Sequence, residues 1–121
     1  MALRPPRGLP GLRPALDNPL AGLEHELLQQ SAEVLGALGR ELNAALDALA
    51  AFEAAHPRPL TEERARTTRE ALLARAGDVL WRFVIQREAC GLRDSERLMQ
   101  DYKVPAAVRL RMGVFPRRAR A

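Results

Sequence analysis

The chain has 121 residues, nine prolines, one cysteine and a formal charge of +4, from 19 basic and 15 acidic side chains. That length supports one domain with a modest core, and no apolar run approaches the ~20 residues of a bilayer span, which excludes an integral membrane protein. One thiol cannot close an internal disulfide, and one thiol beside two histidines cannot build an all-Cys/His zinc site.

The basic character is concentrated at the ends. Residues 1–16 carry Arg4, Arg7 and Arg13 without an acid, and residues 103–121 carry Lys103, Arg109, Arg111, Arg117, Arg118 and Arg120 without an acid. All 15 carboxylates lie from Asp17 to Asp101, against ten arginines, which leaves the middle at −5 between ends of +3 and +6. A pI near 10.5 therefore describes the ends alone. The first segment, with Pro5, Pro6, Gly8, Pro10, Gly11 and Pro14, breaks any helix and lacks the apolar core of a secretory signal. Residues 1–16 are expected to be a disordered basic arm.

From Asp17 or Asn18 as cap, Pro19 takes the favoured first helical position, and no further proline occurs before Pro57. A helix over about 19–55 follows, some 55 Å long. Leu28, Leu35, Leu42 and Leu49 recur every seventh residue, with Ser31, Leu38, Ala45 and Phe52 three positions on. A strict seam would read as a dimerising zipper; Leu27, Val34 and Leu46 widen the stripe and favour packing on another helix of the same chain.

The link His56-Pro57-Arg58-Pro59-Leu60 is short enough to turn the next element back alongside the first. Thr61 is the expected cap of a second helix over about 62–90, which Gly91 ends in left-handed geometry with Leu92 beyond it. A turn near residue 58 gives antiparallel partners whose numbers sum to about 117. Phe83 then faces Val34, Leu72 faces Ala45 and Leu46, and Trp81 lies beside Gly36. The first helix overhangs the second by about two turns, leaving Leu20 and Leu23 in need of a cover. The run Val79-Leu80-Trp81-Arg82-Phe83-Val84-Ile85 is apolar almost all round, so something must also pack on its outer side. Two short helices are expected to do so, one over about 95–102 capped by Asp94 and one over about 105–112 begun by Val104-Pro105. A basic tail, 114–121, closes the sequence.

Four constellations bear on chemistry. Glu53 and His56 have the Glu-x-x-His spacing of di-iron bundles, but one copy without further carboxylates is no such site, and His25 between Glu24 and Glu26 reads as solvated. Cys90 ends a helix, where the dipole disfavours a thiolate, and reads as a small buried packing residue. Arg82, Gln86, Arg87, Glu88, Arg93 and Asp94 flank the bend after the second helix. They form either an arginine–carboxylate clasp that sets the bend or an anion site. Leu98 to Pro105 imitates the first helix and turn of a helix-turn-helix, which would place Arg109 and Arg111 near a groove and add Arg117, Arg118 and Arg120 as phosphate contacts. Met99 and Lys103 stand where such motifs carry a small residue and glycine.

The segments Trp81-x-Phe83-x-x-Gln86-Arg87-Glu88-x-Cys90-Gly91-Leu92-Arg93-Asp94 and Asp101-Tyr102-Lys103-Val104-Pro105, followed by Arg111-Met112-Gly113, resemble a family of short bacterial proteins of unknown function. The resemblance implies a small all-helical cytoplasmic protein and implies no reaction, cofactor or catalytic residue.

The fold expected is all-α, a long antiparallel helical hairpin capped by two short helices, forming one domain over 17–113. The function expected is a non-enzymatic helical interaction or structural module without metal, cofactor or membrane, a homodimer through the Trp81, Val84 and Ile85 side. The alternative is nucleic-acid binding through the degenerate helix-turn-helix and the tail.

Overall fold

The computed structural model of the chain describes residues 19–113. The expected arm over 1–16 and tail over 114–121 lie outside the described residues. Four helices occur among them: α1 Pro19–Ala55, α2 Glu63–Ala89, α3 Ser95–Asp101 and α4 Ala106–Arg109. The chain divides into two compact units, Met1–Val34 and Leu35–Ala121, with the boundary inside α1.

In the second unit, α1 and α2 pack as an antiparallel hairpin. Leu42, Ala45 and Leu49 of α1 form one core with Leu73, Ala76, Val79, Leu80, Phe83 and Val84 of α2, and Leu98, Met99 and Val108 join from the short helices. Leu42, Leu73, Val79, Leu80 and Val108 are fully excluded from solvent. Each such side chain contributes about 1.5–3 kcal/mol relative to exposure.

Across the hairpin Arg69 donates to Glu53 at 3.0 Å and Arg82 to Glu41 at 3.1 Å, and Arg75 also reaches Glu41 at 3.6 Å, so the paired numbers sum to between 116 and 123. Phe83 lies over Gly39: a Cβ at Gly39 would stand 3.6 Å from Phe83 Cζ and 2.5 Å from Tyr102 Oη. The missing side chain makes room for two aromatic rings, which meet edge to face at 5.5 Å. Trp81, expected beside Gly36, instead lies against Gly113, where a Cβ would be 3.5 Å from its ring.

Helix ends follow local chemistry with two differences. Cys90 caps α2, Gly91 has φ 89°, and the Leu92 N–H donates to the Arg87 carbonyl at 2.8 Å, a six-to-one closure that satisfies an orphan carbonyl. The Asp94 carboxylate accepts from the Arg97 N–H at 3.1 Å at the start of α3. The cap of α2 is Glu62, in extended backbone without a side-chain hydrogen bond, so Thr61 stands one residue outside. The last helix is one turn long because Leu110 to Gly113 continue as turns that carry the Arg111 backbone onto Gly77. Between α3 and α4 the Val104 N–H donates to the Met99 carbonyl at 3.0 Å, which puts Lys103 at φ 52°. That left-handed position is the one that helix-ending glycines normally take.

Candidate interaction surface

In the first unit, α1 contributes Pro19–Val34. Leu20 is 65 % exposed, Leu23 50 %, Leu27 51 %, Leu28 70 % and Val34 45 %. The spacing of Leu23, Leu27 and Val34, with Leu28 and the half-buried Ser31 beside them, puts these residues on one face. Single exposed leucines are ordinary; five large apolar residues exposed along one stretch of helix are not. The heptad leucines record the change along α1: Leu28 is 70 % exposed, Leu35 half-buried, and Leu42 and Leu49 buried. The charged side chains of this segment are Glu24, Glu26 and Glu33, all exposed.

The Trp81 side carries the expected intramolecular cover. Val84 is buried in the chain's own core, Trp81 is half-buried with Gly113 against its ring, and only Ile85, at 45 %, keeps substantial exposure there. The short helices thus supply the intramolecular cover that the apolar run requires.

The residues flanking the bend do not form one clasp. Arg82 reaches across the hairpin to Glu41 at 3.1 Å and along α2 to Asp78 at 3.2 Å, and Glu41 also receives Arg75 at 3.6 Å. The hydrogen bond to Glu41 and the charges of Glu41 and Asp78 raise the Arg82 pKa above its ordinary value, against the opposing effect of burial. Arg87 places its guanidinium 5.9 Å from the centre of the Phe83 ring, within cation–π range. Asp94 is used as the α3 cap, Gln86 is half-buried, and Glu88 and Arg93 are exposed. Among the described residues no ion pair joins Arg87 or Arg93 to Glu88 or Asp94. Sequence neighbours on a helix project in different directions, so adjacency in sequence did not become contact. The three arginines likewise do not converge on an anion site, because Arg82 is committed to the opposite helix.

The arginines of the helix-turn-helix reading face carboxylates of their own chain. Arg109 Nη2 donates to Glu96 at 2.6 Å, and Arg111 donates through Nε and Nη2 to the two oxygens of Glu70, each at 2.8 Å. With α4 a single turn, this segment offers no recognition helix of useful length. Arg117, Arg118 and Arg120 lie outside the described residues.

Cys90, expected to be buried, is exposed because it sits beyond the last full turn of α2. His56 stacks on Phe52 at 4.2 Å and its Nδ1 lies 3.0 Å from the Phe52 carbonyl, whereas Glu53 turns to Arg69. Glu53 and His56 are thus held by separate partners. Among the described residues no group of three or more His, Cys, Asp or Glu side chains is placed to hold a metal ion. No described helix is long and apolar enough to cross a membrane. The hairpin turn bears an open depression of about 240 Å³ lined by His56, Pro57, Pro59, Leu60 and Thr61.

A family of unknown function, DUF6665, matches residues 9–120. The chain belongs to this family. The DUF6665 match takes in both the Gln86 to Asp94 segment and the Tyr102 to Pro105 turn, the segments on which the resemblance rested. No curated protein and no solved structure matches the chain. Membership in DUF6665 thus places the chain among relatives without assigning it a reaction.

Sequence reasoning named Leu20 and Leu23 as needing a cover but left out Leu27, Leu28 and Val34 as parts of the same open face. Their common helical phase was the available signal. Glu41 and Glu70, the carboxylates that hold Arg82 and Arg111, carried no signal, since each pair spans 41 positions.

Proposed function

We propose that the protein is a non-enzymatic cytoplasmic helical module that self-associates, and that it does so through the apolar face of α1 between Leu23 and Val34. The observation that carries this reading is the emergence of one heptad stripe from a closed core into an open surface, from Leu49 at 2 % exposure to Leu28 at 70 %. An apolar stripe left open along a helix is a half-made helix–helix contact, and a second copy provides the other half. Burying the exposed parts of Leu23, Leu27, Leu28 and Val34 would contribute about 1 kcal/mol each, so two such faces gain about 8 kcal/mol before the cost of association. That scale corresponds to weak, reversible pairing. An exposed, unpaired Cys90 thiol suits a reducing compartment.

The test is light scattering on the full chain across concentration, beside a chain carrying Leu23→Gln, Leu27→Gln and Val34→Gln. The wild type is expected to approach twice the monomer mass as concentration rises, and the variant to stay monomeric with unchanged helicity. A wild-type chain that remains monomeric at millimolar concentration, or a variant that associates equally well, overturns the reading.

A further inference from the structure

We draw no further inference here: the strongest candidate, the exposed apolar face of α1 between Leu23 and Val34, adds nothing to the self-association already proposed, since nothing in the structure shows what covers it.

Discussion

Replacing Gly77 by alanine and replacing Gly36 by alanine should move stability in opposite directions, although both glycines lie inside long helices. On propensity alone, alanine is favoured by about 1 kcal/mol at either site. At Gly36 the new methyl meets nothing nearer than Arg40 Nη1 at 3.5 Å, the end of a flexible side chain, and the propensity gain survives. At Gly77 it would stand 2.6 Å from Arg111 Cβ and 2.9 Å from the Arg111 backbone carbon and oxygen. Comfortable carbon contacts begin near 3.5 Å, so the turn after α4 must retreat by close to 1 Å. Backbone cannot rotate aside as a side chain can. Retreat also strains the two 2.8 Å hydrogen bonds from Arg111 to Glu70 and the seating of the fully buried Val108. Overpacking costs about 1–3 kcal/mol, which leaves a net loss of about 1 kcal/mol at Gly77. For a chain this size that is a fall in Tm of about 4–8 °C, against a rise of similar size for Gly36→Ala. Thermal and urea unfolding followed by circular dichroism reads both. A Gly77→Ala chain that melts higher than wild type refutes the seating of the C-terminal turns on α2.

Three further outcomes follow from the same contacts. Gly39→Ala should destabilise through its 2.5 Å approach to Tyr102 Oη, and adding Tyr102→Phe should recover part of that loss; equal unfolding midpoints for the single and double variants would contradict the contact. Lys103→Gly should stabilise by about 0.5–1 kcal/mol by relieving a left-handed residue at φ 52°, and urea unfolding that shows a loss would argue against that backbone geometry. Leu42→Ala should cost about 3–5 kcal/mol whereas Leu28→Ala costs under about 0.5, because the first is fully buried and the second 70 % exposed; equal costs in urea unfolding would mean that the heptad leucines share one environment.

Helix existence and most helix ends were legible because they are written in breakers and caps. Pro19, Pro57, Gly91 and Asp94 each act through one or two bonds of local geometry. The close contacts at glycines were not legible. At Gly39 the Tyr102 and Phe83 side chains, and at Gly77 the Cβ and backbone of Arg111, approach too closely for a side chain. Composition marks these positions only as helix-weakening. The clasp at Arg87, Glu88, Arg93 and Asp94 looked plausible because the charges alternate in sequence, yet the arginines that bridge elements, Arg69, Arg82, Arg109 and Arg111, pair with Glu53, Glu41, Glu96 and Glu70 elsewhere. The exposed apolar face of α1 was half legible: Leu20 and Leu23 stood out in the sequence, but Leu27, Leu28 and Val34 joined them only with their exposure. Charge segregation was visible from the start.

Amide hydrogen exchange of the full chain, compared between dilute and concentrated solution, locates self-association directly. The proposed surface predicts that exchange across residues 19–34 slows as concentration rises, while the helix from Leu35 to Ala55, already packed within its own chain, exchanges at a constant rate. Concentration-independent exchange across 19–34 in a sample that scattering shows to be dimeric would contradict the assignment of the interface to α1.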